Sequence, residues 1–506
     1  MGVITVVFAI RTVLLSAALL IGIIACQSEI GGDDSSESAG PNIILLMSDD
    51  QGWGDVGYNG NAIVQTPNLD TMAAHGIRLD RFYSAAPVCS PTRASVLTGR
   101  HPFRYGIEWA GEGHLPQDEM TIAEVLQANG YRAGHFGKWH VGELSHTVNQ
   151  SYFAGEMADP EHYSPPWENG FDESFSTESM MPTYNPYYHV GGDYGTEDYR
   201  FVQTEAVEEN QTTGGFRWRD HFWLGPGEIE DSWLAGDSSR IIMDRALDYI
   251  GSQVDEQEPF LAVVWFHTPH TPVVAGNDDR ALYPDEPIKA QHWYGSITAM
   301  DRQIGRLRKE LRELGIADNT LLWFNSDNGP SYIHDLNSAG PFKGKKAELT
   351  EGGIRVPAIV EWPAGLEGGR AIAAPISTSD IYPTLLAAAG LALPVNQPEL
   401  DGVDVLPLLA GEKEQRESPI AFQSPIRGSD YAADRSQLQY AFSDDVYKLF
   451  SGDGGSTWEL YDLLNDPSET QNIAANHMER VAGMKIQLAA WIESTRLDAN
   501  SANPGN

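Results

Sequence analysis

Residues 42–50 read NIILLMSDD: after Asn42 comes an unbroken apolar run, then Ser48 and two carboxylates. An apolar run without polar alternation marks a strand covered on both faces, the usual state of a strand inside a parallel sheet. Thr320 to Phe324 (TLLWF) repeats the pattern and runs into Asn325-Ser326-Asp327-Asn328-Gly329. Phe260 to Phe266 (FLAVVWF) is a third such run, and Pro357 to Trp362 (PAIVEW) a fourth. Helical patterns alternate with them. Thr121 to Asn129 ends at Gly130, Arg240 to Ile250 carries an apolar stripe, and Ser379-Asp380 opens a helix through Leu386. From Tyr294 to Leu311, Ile297, Met300, Ile304, Leu307 and Leu311 recur at spacings of three and four. This alternation predicts a doubly wound α/β domain, a mostly parallel sheet flanked by helices. Such sheets bind ligands at the carboxyl edge of their strands.

Several strand ends deliver reactive side chains to that edge. Asp49, Asp50, Asp327 and Asn328 follow two of the buried runs. One such pair only starts a turn. Two pairs, with no His or Cys among them, make an oxygen donor set for a hard cation, Ca²⁺ or Mg²⁺. Gly137-Lys138-Trp139-His140 follows a short strand, Tyr131 to Phe136. On an extended segment Lys138 and His140 face the same way. Thr268-Pro269-His270-Thr271-Pro272 follows FLAVVWF, with a proline on each side of His270 to stiffen the turn. Lys346 lies in FKGKKAELTEGGIRVP (342–357), and its neighbours Lys343 and Lys345 read as solvated charges. Residues 89–100, CSPTRASVLTGR, hold one of only two cysteines in 506 residues. Pro91 suits the first turn of a helix, which puts Cys89 at a helix N-terminus, where free N–H groups favour negative charge.

Cys-x-Pro-x-Arg followed by Thr98-Gly99 resembles the signature of the type I, formylglycine-dependent sulfatases of the alkaline-phosphatase-like superfamily. The resemblance runs from Asn42 to about Ile492 and includes EGGIRVP and the stretch WELYDLLNDPSETQNIA (458–474). It implies a large, mostly parallel sheet with a small C-terminal antiparallel sheet and helix. It implies that a formylglycine-generating enzyme or an anaerobic maturase oxidises Cys89 to formylglycine. Asp49, Asp50, Asp327 and Asn328, with residue 89, are then the ligands of a metal, usually calcium, with magnesium as the alternative. Arg93, Lys138 and Lys346 grip the sulfate, and one hydroxyl of the hydrated aldehyde attacks sulfur with help from the metal and Asp327. His140 deprotonates the other hydroxyl, and His270, with Lys346, protonates the departing alcohol. The implied activity is hydrolysis of sulfate monoesters, on a sulfated polysaccharide or oligosaccharide. One position departs from the family: Ala347 stands where a glycine usually follows the key lysine.

Composition bounds the rest. A net charge of −38, from 71 acidic and 33 basic residues, excludes nucleic acid and anionic lipid as partners. It also means that a sulfate site needs its own cluster of cations. Arg11 and the apolar run from Thr12 to Ala25 form an export signal too short to span a membrane. The sequence Ile23-Ile24-Ala25-Cys26 resembles a bacterial lipobox, which predicts a lipoprotein anchored through Cys26 at the periplasmic or outer surface. Residues 27–40 read as a flexible tether. The catalytic domain is expected over 41–410, a C-terminal α+β subdomain over 411–495, with a helix from Met478 to Ile492, and a tail over 496–506. The segment 151–235 interleaves aromatics with arginine: Tyr163, Trp167, Tyr184, Tyr187, Tyr188, His189, Arg217, Trp218, Arg219 and Trp223. These residues either stack sugars or pack an elaborate loop. Two other functions fit parts of the pattern. One is a phosphate or phosphonate monoester hydrolase on the same fold, and the other a surface lipoprotein that binds sulfated glycan with Cys89 left as a thiol.

Overall fold

The NIILLMS run forms β1 (Asn42–Ser48) inside a ten-stranded sheet. The structure is a computed structural model. It describes residues 40–147, 160–189, 216–217, 221–232, 234–331, 336–427 and 433–502, with side chains of all but a few of these. The export signal, Cys26, the tether up to residue 39, Trp218 and Arg219 lie outside the described residues, as do the side chains of Tyr188, His189 and Arg217.

Four further elements complete the sheet's centre. They are β2 (Arg132–Lys138), β3 (Glu173–Thr177), β4 (Phe260–Trp265) and β5 (Thr320–Ser326). In space they run β5-β1-β4-β2-β3, all parallel. The PAIVEW run forms β6 (Ala358–Glu361), which pairs antiparallel with β5. The sheet is therefore mixed at its flanks and parallel where the site lies.

Two-sided burial explains the unbroken apolar runs. Ile43, Leu45, Met47, Leu261, Val263 and Trp323 belong to one buried cluster, shared with Ala94 and Leu97 of α1 (Cys89–Thr98). Ile44, Leu46, Ala262, Val264 and Phe324 belong to a second. It is closed by Ile242 and Ile250 of α2 (Ser238–Glu256) and by Met300, Ile304 and Leu307 of α3 (Ile288–Glu313). Each of the larger of these side chains contributes roughly 1.5–3 kcal/mol of burial free energy.

A separate antiparallel sheet follows, of β7 (Ile420–Arg427), β8 (Ala433–Ser443), β9 (Tyr447–Ser451) and β10 (Glu459–Asp462), with α4 (Met478–Ala502) beside it. The helix outruns the expected end at Ile492 and takes in residues expected to be tail. Asp498 explains this: it accepts from Arg100 at 2.7 Å and Arg104 at 2.8 Å, which anchors the last turns.

Candidate active site

The four central strands end side by side, and the functional side chains gather there. Asp49 and Asp50 follow β1, Asp327 and Asn328 follow β5, His270 follows β4, and Lys138 closes β2. Cys89 is the first residue of α1, with Pro91 in its first turn and Gly99 capping it at φ 70°. The Cys89 sulfur lies 3.5 Å from Asp49 Oδ1 and 3.3 Å from Lys346 Nζ. Oxygen, sulfur or nitrogen atoms of Asp49, Asp50, Cys89 and His270 all lie within 4.8 Å of one another. Asp327 stands just behind this group. Its Oδ1 accepts from the Asp50 backbone N–H at 3.0 Å, and its Oδ2 from Arg93 at 2.7 Å. Every residue expected in the site therefore lies at this edge.

Three cations answer three carboxylates in pairs. Lys138 Nζ is 2.7 Å from Asp49 Oδ2, Arg93 is 2.7 Å from Asp327, and Lys346 Nζ is 2.5 Å from Asp50 Oδ1. Burial alone would raise the Asp49 carboxyl, but Lys138, His270 and Arg93 hold it down to about 2. Asp50 is likewise lowered against burial, chiefly by Lys346 and His270. Lys346 is pushed well above the ordinary lysine range by Asp50, Cys89 and Asp49, against its own burial. The thiol of Cys89 goes the other way: burial, then Asp327, raise it and hold it protonated. Burial and the neighbouring Lys138 and Arg93 keep His140 neutral. Burial also lowers His270, partly offset by Asp49 and Asp50.

His140 arrives by a different route from the one its spacing implied. β2 ends at Lys138, and His140 sits in the left-handed region at φ 61°, its N–H bound to the Glu178 carbonyl at 3.0 Å. Strand alternation therefore does not apply to this pair; a turn aims the imidazole. Asp50 is also left-handed, at φ 63°. Such backbone costs of order 1–3 kcal/mol and persists where the surroundings over-determine it. Lys343 and Lys345 are exposed and stand apart from the centre.

Sequence reasoning missed two supports. Trp265 lies under the guanidinium of Arg93, 5.2 Å from Cζ to the ring centroid. Gln439 of β8 spans the loop after Lys346, donating to the Ala347 carbonyl at 2.8 Å and accepting from the Leu349 N–H at 3.0 Å. Trp265 belongs to the FLAVVWF run, but nothing in one dimension says which cation it carries.

The donor set fits a divalent metal. Asp49, Asp50, Asp327 and Asn328 supply only oxygen, the choice of a hard cation. The buried Oδ1 of Asn328 has no hydrogen-bond partner among the described residues. Two N–H donors, from Lys346 and Asn328, converge on Asp50 Oδ1 and give that oxygen the positive surroundings an ion would supply.

Comparison with known proteins places this geometry. A family model described as Sulfatase matches residues 41–391, and one described as N-sulphoglucosamine sulphohydrolase, C-terminal, matches 344–496. The chain is 33% identical over 391 residues to N-acetylgalactosamine-6-sulfatase of Canis lupus familiaris, covering 73% of this chain and 66% of that protein, just under two thirds of its length. It is 31% identical over 438 residues to steryl-sulfatase of Homo sapiens, covering 77% and 73%. Among solved structures it resembles Ps i-CgsB in complex with k-i-k-neocarrahexaose, with a TM-score of 0.71 and 26% identity over 89% of this chain and 92% of that one.

Proposed function

We propose that this chain, which belongs to the sulfatase family, is a sulfuric ester hydrolase that cleaves sulfate monoesters of a glycan with formylglycine, made from Cys89, as its nucleophile. One observation carries the reading: the side chain of residue 89 opens a helix inside a ring of Lys346, Lys138 and Arg93, against the acidic cluster.

The cations do most of the electrostatic work. The chain as a whole, at −38, repels a sulfate ester. Lys346 is near enough to residue 89 to meet an oxygen of a sulfate bound there. Lys138 and Arg93 stand behind it in full burial, where each preorganised partner is worth about 3 kcal/mol in the transition state. His140, buried and neutral, is a base for the hydroxyl left on residue 89. The Nδ1–H of His270 donates to the Thr271 carbonyl at 2.7 Å, which turns Nε2 to the Asp50 side of the site; from there the ring donates a proton to the leaving alcohol as the imidazolium, the form that Asp49 and Asp50 favour against burial. Asp49, Asp50, Asp327 and Asn328 would hold a divalent ion, and that ion would supply Lewis acidity beside residue 89. Formylglycine at residue 89 would supply, as its hydrate, two hydroxyls on one carbon: one would take the sulfate as the ester's S–O bond breaks, and the other, deprotonated, would re-form the aldehyde as the C–O bond to sulfate breaks.

The glycan class rests on the relatives. One is named for a sugar sulfate and one for a steryl sulfate, and the structural relative was solved with a hexasaccharide. Export and attachment through Cys26 belong to the same reading and rest on the apolar run that precedes it. The test is initial rates on paired aryl sulfate and aryl phosphate, with peptide mass confirming formylglycine at 89. Sulfate turnover is expected to exceed phosphate turnover. Cys89→Ala is expected to abolish both with an unchanged circular dichroism spectrum. Preferential phosphate turnover, or an active Cys89→Ala, overturns the reading.

A further inference from the structure

Three of the chain's 33 basic residues fall within four positions, Lys343, Lys345 and Lys346. Only Lys346 belongs to the reaction centre. Against the same loop lies a cavity of about 540 Å³, lined by Lys343, Lys345, Lys346, Glu348, Gln439 and Phe450 among others. Its size is that of a small-molecule site. Its lining joins ammonium groups, an amide and an aromatic ring, the set that holds a charged sugar through charge-assisted hydrogen bonds and ring stacking.

The cavity's charge is unlike the rest of the protein. Glu348 is the single carboxylate on its wall, against Lys343, Lys345 and the reaction-centre Lys346. Lys343 leans over the Tyr461 ring at 5.6 Å and reaches Glu459 only at 4.0 Å, with its side chain 47% exposed. The cavity is also mechanically tied to the reaction centre. Gln439, on its wall, holds the backbone on either side of Glu348, and the Lys346 N–H is bound to the Pro330 carbonyl at 2.9 Å. A chain of −38 has no general attraction for a polyanion, so cations one loop away from the nucleophile are placed for a substrate with more than one negative group.

We propose that this cavity is a second anion subsite, which takes a neighbouring sulfated or carboxylated sugar unit of the glycan whose target sulfate sits at residue 89. The proposal deepens the sulfatase reading and rests on it.

The test titrates low-mass dextran sulfate into the full-length protein by calorimetry, and follows 4-nitrophenyl sulfate turnover in parallel. The double variant Lys343→Ala/Lys345→Ala is expected to weaken dextran sulfate binding about tenfold while kcat/KM on the small ester stays within about twofold. Lys309→Ala/Lys413→Ala removes the same charge from exposed positions elsewhere. It is expected to change binding by less than about twofold. Equal weakening in both double variants, or none in either, overturns the subsite. Lysine-dependent binding by a protein that hydrolyses no sulfate ester overturns the reaction instead and leaves an anion site. Sulfate turnover with binding indifferent to these lysines overturns the subsite alone.

Discussion

Arg93 and Asp327 form an ion pair at 2.7 Å in which neither side chain has any exposure. The same guanidinium donates to the Lys138 carbonyl at 2.9 Å and stands 3.6 Å from Asp49. It thus joins α1 to the ends of three strands. Arg93→Ala leaves two buried carboxylates short of a cation, a loss of about 3–5 kcal/mol. Arg93→Lys keeps the charge but not the fork, so its cost is expected to fall between wild type and Ala. Urea unfolding in the presence of EDTA measures both. An Ala variant within about 1 kcal/mol of wild type contradicts the pairing.

Metal binding has a readout apart from activity. A ligand that binds only the folded state at a hundred times its Kd stabilises by about 2.7 kcal/mol. Calcium or magnesium is therefore expected to raise the melting temperature of EDTA-treated protein. Asn328→Ala, which removes the unpartnered amide oxygen, is expected to shrink the shift, and Asp49→Asn to shrink it further. A shift of full size in both variants places the ion elsewhere.

The sheet was legible because burial on two faces writes itself as runs such as NIILLM and FLAVVWF. The strand ends followed from those runs, and so did the location of Asp49, Asp327 and His270. Pairing within the site was not legible. Arg93 and Asp327 are 234 residues apart, and Lys346 and Asp50 are 296 apart. Nothing local says which cation meets which carboxylate. His140 was placed at the site by an alternation that its left-handed backbone does not obey. The end of α4 was misjudged because an apolar stripe measures packing, whereas Asp498 holds the last turns by charge.

Ala347, which stands where the family pattern has glycine, adopts φ 75°, the conformation a glycine there would take freely. Replacing it with glycine relieves about 1 kcal/mol of left-handed strain. The same change loses about 0.8 kcal/mol of buried methylene-sized contact and adds chain entropy worth about 0.4–1 kcal/mol. Ala347→Gly is expected to be near neutral, within about 1 kcal/mol of wild type by urea unfolding. Ala347→Val adds a β-branched side chain at the same φ beside Lys346, and is expected to lower both stability and kcat. A glycine variant about 3 kcal/mol less stable shows that no strain is stored there.

His101 carries a pH dependence away from the metal ligands. Its ring is buried edge-on to Trp491 at 4.8 Å, and burial, reinforced by Arg104 and opposed by Asp401, lowers it from 6.5 to about 4. Between those values the unfolded chain holds a proton that the folded chain refuses. This part of the stability is complete above pH 6.5 and is lost as pH falls, at up to about 1.4 kcal/mol per unit. His101→Phe keeps a ring against Trp491 and removes the titration. Other buried histidines remain in both proteins, so acid destabilises both, but the variant's curve is expected to be flatter by one proton. The free-energy gap between wild type and variant therefore changes in the variant's favour by about 2 kcal/mol from pH 6.5 to 4.5. Urea unfolding at half-unit steps measures it, and parallel curves over that window rule out His101 as the source.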